Sequence, residues 1–129
     1  MPKLSKDSVQ VSEHGHGKEW ATNVDGYRIS IVETMQAADL TPLLKGLPND
    51  QCHSPHWGFV LKGSMWWRYD DHEEVTEAGD VFFIPPGHTA GAAAGSEFVI
   101  FSPTKELDVV EAHMARRAQE LYGALQLKG

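Results

Sequence analysis

Ten residues, Gly79-Asp80-Val81-Phe82-Phe83-Ile84-Pro85-Pro86-Gly87-His88, narrow the choice of folds more than any other part of the chain. A Gly-Asp turn leads into a strand-sized apolar run. A rigid Pro-Pro-Gly corner ends the run, and a histidine follows at once. Upstream stands Cys52-His53-Ser54-Pro55-His56, running into Trp57-Gly58-Phe59-Val60-Leu61-Lys62-Gly63. Two short strands therefore carry imidazole at one end, with a hairpin-like segment between them. That arrangement gathers soft and borderline ligands inside a small β-barrel, so metal binding leads the functional readings.

Size and charge bound the rest. A chain of 129 residues is expected to form one domain with a core large enough to fold alone. It carries 18 acidic and 11 basic residues, a net charge of −7, which argues against nucleic acid or an anionic membrane as partner. The apolar stretches are strand-sized, so no membrane-spanning helix is expected. Met1 to Asp7 lacks the apolar core of a signal peptide. The single cysteine excludes an internal disulfide and fits a reducing cytoplasm.

Along the chain, residues 1–19 are polar and broken by Gly15 and Gly17. They read as a loose arm, with His14 and His16 solvated in it. Strands are expected at 27–33, 57–61, 65–69, 74–77, 81–84 and 97–102, with turns at Lys62-Gly63, at 70–74 and at 78–80. Residues 37–48 are a loop or helical turn bounded by prolines, and 89–95 a loop or weak strand. From Pro103 the period changes: Leu107, Val110, Met114, Ala118, Leu121 and Leu125 recur at helical spacing. Ser102 is a candidate cap for this helix. The expected organisation is an arm (1–19), a β-barrel (24–102) and a C-terminal amphipathic helix (103–127).

Residues 50–102 resemble the cupin superfamily. Its second motif reads Gly, five residues, Pro, any residue, Gly, two residues, His. Gly79, Pro85 and Gly87 match, while Ala90 stands at the histidine position and His88 lies two places earlier. In the first motif Gly63 matches the closing glycine. His56 stands where the glutamate belongs, Cys52 on the second histidine and Asp50 on the first. The resemblance implies an all-β fold: an antiparallel double-stranded β-helix, or jelly-roll barrel, of the RmlC-like kind.

In such a strand, alternate residues point inward. If His56 points in, so do Gly58 and Val60, while Trp57, Phe59 and Leu61 face a packing layer or a partner subunit. Position 90, inward in the family, shares parity with His88. The preferred ligand set is therefore Cys52, His56 and His88, holding a divalent transition metal (Zn, Fe, Cu or Ni). His53 is the alternative ligand if the strand begins later. Against this, Cys52 also reads as a small buried hydrophobe and His88 as a turn residue. Trp66, Arg68, Val60 and Phe83 are candidate pocket residues, and Tyr69 a weak catalytic candidate. Arg68 equally reads as a solvated residue at the barrel mouth.

Two functions follow. One is a small-molecule metalloenzyme of dioxygenase, isomerase or lyase type, among which the fold cannot choose. The other is a non-catalytic barrel that binds or senses a small ligand. A third is a folded remnant whose interior is closed by side chains. The apolar outer residues of 57–61 predict a homodimer.

Overall fold

The computed structural model describes residues 3–14 and 17–123. His16, Leu125 and the expected helix end at 124–127 lie outside them. Ten strands follow in chain order: β1 (Ser12–His14), β2 (Gly17–Val24), β3 (Tyr27–Thr34), β4 (Ala38–Asp39), β5 (His56–Lys62), β6 (Ser64–Arg68), β7 (Glu73–Glu77), β8 (Val81–Ile84), β9 (Thr89–Ala92) and β10 (Glu97–Pro103). A short helix α1 (Thr41–Leu44) and a 3-10 turn (Pro48–Asp50) separate β4 from β5. Helix α2 (Thr104–Ala118) follows β10 and widens into a π-helical turn over Gln119–Gly123.

All pairings between strands are antiparallel and form two sheets. One runs β1-β2-β3-β10-β5-β8 and the other β4-β9-β6-β7. Their inner faces meet in one apolar core made of Val60, Phe82, Ile84 and Phe98 from the first sheet and Met65, Trp67, Ala90 and Ala92 from the second. Period-two alternation builds it: in β8, Phe82 and Ile84 are buried while Val81 and Phe83 are exposed.

The polar arm expected through residue 19 is instead drawn into the sheet at its inner end. Ser12–His14 pair with Gly17–Glu19, and β2 pairs with β3 along its whole length. Asp25 and Gly26 make the two-residue turn, both with positive φ (54° and 83°), which matches the twist of the strands they join. Residues 89–92, read as loop or weak strand, form a strand that pairs with both β4 and β6.

Helix α2 buries its apolar stripe mainly against α1 and the loop before β5. Val110 and Met114 pack on Leu44, Leu47 and Cys52. Polar ties fix its seating. Arg28 of β3 pairs with Asp108 at 2.8 Å and with Glu111, and His113 Nε2 donates to the Lys45 carbonyl at 2.7 Å. Ser102 does not cap this helix. Pro103 stands at the cap position and no side chain caps the end.

Candidate metal centre

The loop before β5 and the corner after β8 are tied together by backbone. Cys52 N–H donates to the His88 carbonyl at 2.8 Å, and Gly87 N–H returns a bond to the Cys52 carbonyl at 2.8 Å. The tight corner exists because Gly87 holds φ +92°, where a side chain is strained. One step along, β5 opens with His56 directly opposite Ile84 of β8. Two local devices, a proline–glycine corner and a strand start, thus deliver three side chains to one point. Cys52, His56 and His88 place one donor atom each within 4.8 Å of one another. Cys52 Sγ lies 3.6 Å from His56 Nε2, and the two imidazole centroids are 5.1 Å apart.

The cluster is buried: Cys52 and His56 are 6% exposed and His88 1%. Each imidazole is held from behind. His88 Nδ1 lies 2.9 Å from the Pro85 carbonyl, which only accepts, so Nδ1 carries the proton and Nε2 keeps its lone pair. His56 Nδ1 lies 2.6 Å from Ser102 Oγ. The His56 tautomer protonated at Nδ1 donates to Ser102 Oγ and leaves Nε2 free, 3.6 Å from the Cys52 sulfur. Histidine ligands in metal centres are oriented by bonds of this kind.

Burial sets the protonation. The Cys52 thiol is pushed up to about 11 by loss of solvent, against a weaker opposing bond to the Ser54 backbone. His56 is pushed down to about 3, first by burial and then by His88. His88 is also lowered, chiefly by burial. At neutral pH the cluster is two neutral imidazoles and a neutral thiol. A metal at this point would take the two Nε2 lone pairs and would have to displace one proton, from sulfur.

The same burial predicts an acid limit for chelator-treated protein. Between the ordinary value of 6.5 and the folded value of about 3, the unfolded chain binds a proton at His56 that the folded chain does not. Stability is complete above this window and falls as pH drops through it, by about 1.4 kcal/mol per pH unit for each such proton. Urea midpoints at about pH 7 and 5 read the slope; equal midpoints would mean that His56 is not held neutral.

Trp67 walls the cluster, its ring 6.1 Å from His56 and 5.6 Å from His88, and Phe82 stands 5.3 Å behind it. These two are the interior aromatics on the cluster's side of the core, which also holds Phe98. The pocket expected from Trp66, Arg68 and Phe83 is corrected: all three project from the outer faces, by the same alternation that turns Trp67 and Phe82 in. Arg68 lies 4.7 Å over the Trp66 ring and beside Glu73. Val60, fully buried, is a core residue. His53 donates to the Pro48 carbonyl at 2.7 Å and stands outside the cluster. Tyr69 stacks on His72 at 4.7 Å, with its ring 6.2 Å from His88. Its hydroxyl is buried without a hydrogen-bond partner. Ser102 is the site residue that motif reading misses; alternation along β10, with Phe98 and Ser102 buried, could have found it.

A family model described as the AraC-like ligand-binding domain matches residues 51–126. The chain belongs to that family. This AraC-like ligand-binding domain has a cupin-type fold, as its similarity to solved structures shows. An RmlC-like cupin from Shewanella frigidimarina shares 18% identity over 77% of this chain and 87% of that one, with a TM-score of 0.56. KdgF from Halomonas sp. shares 18% over 78% and 93%, with a TM-score of 0.54. The polyketide cyclase RemF from Streptomyces resistomycificus shares 15% over 81% and 80%, with a TM-score of 0.57. At these identities the likeness establishes the fold alone. No curated protein matches the AraC-like domain. Among the described residues, no helix is long and apolar enough to cross a membrane.

Proposed function

We propose that this chain is a metal-binding cupin whose two sheets close into a jelly-roll barrel around an ion held by Cys52, His56 and His88. The observation that carries this is the convergence of three buried donors within 4.8 Å. The donor set fits a transition metal: two imidazoles, each engaged from behind at Nδ1, and one thiol. A bound ion would supply Lewis acidity and an attachment point for a small oxygenated ligand. The chain's residues fix the ring orientations, exclude water and hold the sulfur proton until metal arrives.

Between turnover and ligand binding, the family match favours binding or sensing of a small molecule. Metalloenzyme chemistry remains the second reading, with Tyr69 the nearest phenol. Metal analysis of protein purified without chelator or histidine tag tests the site. About one equivalent supports it; less than about a tenth, with no uptake on titration, overturns it. Ser102→Ala is expected to weaken metal affinity roughly 10–100-fold while keeping the fold. Unchanged affinity in a competition titration would remove Ser102 from the site.

The outer face of the six-stranded sheet supports a homodimer. Tyr27, Trp57, Leu61, Val81, Phe83 and Phe101 are exposed there. Tyr27, Trp57 and Phe101 line a shallow depression of about 320 Å³. A second copy would cover this apolar surface. Light scattering at micromolar concentration is expected to report a dimer; monomer alone would withdraw the assignment. The free cysteine supports a cytoplasmic home for the protein.

A further inference from the structure

We propose that the ion held here is copper in its +1 state, rather than one of the divalent metals. The inference rests on the metal-binding reading of Cys52, His56 and His88 and goes on to name the ion. Two observations carry it independently.

The first is the number and type of donors. Three converge among the described residues, one sulfur and two nitrogens, and no carboxylate joins them. Zinc in proteins is almost always four-coordinate, its fourth ligand being a side chain or a water in an open position. Here Trp67 and Phe82 fill the inner side of the cluster, and the three residues are 1–6% exposed. Soft sulfur with imidazole suits copper(I).

The second is charge. A deprotonated Cys52 supplies one negative charge. The nearby Asp70 is turned to Gln51, whose Nε2 donates to its Oδ1 at 2.8 Å. A divalent ion would therefore leave one uncompensated positive charge in a buried, largely apolar site, and burying an unpaired charge is costly. A monovalent ion leaves the complex neutral. Binding is an exchange without electron transfer: the sulfur loses its proton to solvent and gains the S–Cu bond, while the two Nε2 lone pairs complete the set.

The test uses metal-free full-length protein without a tag, under nitrogen. It is titrated with Cu(I) against the chromogenic chelator bicinchoninate, and separately with Zn(II) against a zinc-binding dye. X-ray absorption is recorded on the Cu(I) complex. The expected result is one equivalent of Cu(I), a spectrum fitted by one sulfur and two nitrogens, and less than about 0.1 equivalent of Zn(II) at about 10 µM free ion. Cys52→Ser is expected to lose at least about a hundredfold in Cu(I) affinity with its circular dichroism unchanged. Stoichiometric zinc, an added oxygen donor from solvent or Tyr69 in the copper complex, or undiminished copper uptake by Cys52→Ser overturns the copper assignment and leaves a metal site standing. No uptake of either ion overturns the copper assignment, and together with less than about a tenth of an equivalent of any metal in untreated protein it overturns the metal site as well. Should Cys52→Ser fail to fold, the absorption spectrum of the unaltered protein decides alone.

Discussion

His56→Ala is expected to abolish metal uptake. The substitution removes one of three converging donors: Cys52 Sγ lies 3.6 Å from its Nε2 and the His88 ring 5.1 Å from its ring. The remaining Cys52 and His88 would hold the ion in a weaker, incomplete set. The loss should exceed about a thousandfold, beyond the 10–100-fold typical of losing a supporting bond. A chromogenic competition titration reads it directly. The change also leaves Ser102 Oγ, 2% exposed as a residue, without its partner and opens a small void. A stability cost of about 1–3 kcal/mol should accompany it. Circular dichroism and a urea midpoint separate the two effects. A variant that folds and still binds one equivalent would refute the assignment of His56 as ligand. If the protein instead holds a small ligand without metal, the same substitution should barely change ligand affinity.

Trp67→Ala should produce the largest loss of stability. The indole is 2% exposed, packs at a tilt against Phe82 with ring centroids 5.3 Å apart, and donates from Nε1 to Thr76 Oγ1 at 3.1 Å. Truncating a buried tryptophan costs about 3–5 kcal/mol, a large part of the 5–15 kcal/mol that holds a domain together. Urea denaturation followed by far-UV circular dichroism measures it. Trp67→Phe keeps a ring against Phe82 and should cost clearly less. Trp66→Ala, on the outer face, is the control and should cost less than either. If Trp66→Ala proves worse than Trp67→Ala, the inward and outward faces of β6 have been assigned the wrong way round.

How far the sequence speaks for this fold depends on where local signals and packing agree. β5, β8 and β10 are dense in aromatic and branched residues with clear alternation, and their positions follow from the sequence to within a residue or two. The three-residue cluster was legible through parity and the Pro-Pro-Gly corner, because both depend only on nearby chain geometry. The strand β2 was not read. Its polar residues Lys18, Glu19 and Asn23 mask its pattern, although Asp25-Gly26 ahead of a β-rich run is a strong hairpin signal. The pocket assignment failed for a different reason. Parity separates Trp66 from Trp67 and Phe82 from Phe83, yet it does not say which member faces the core. That choice is set by pairing with β9 and β5, which are distant in sequence. Ser102 carried two plausible roles. A serine ahead of Pro-Thr-Lys-Glu looks like a helix start, and the hydrogen bond to His56 comes from a residue 46 positions away.

Cys52 belongs to two neighbourhoods at once. Its sulfur meets His56, and its residue packs with Leu44 and Val110 beneath helix α2. Ser102, which steadies His56, is separated from the first turn of that helix by Pro103 alone. Whatever shifts the sulfur must therefore be accommodated by the helix footing. Were an ion bound, a pull on helix α2 would by reciprocity change the grip on it. A single thiol would then gear the helix to the site.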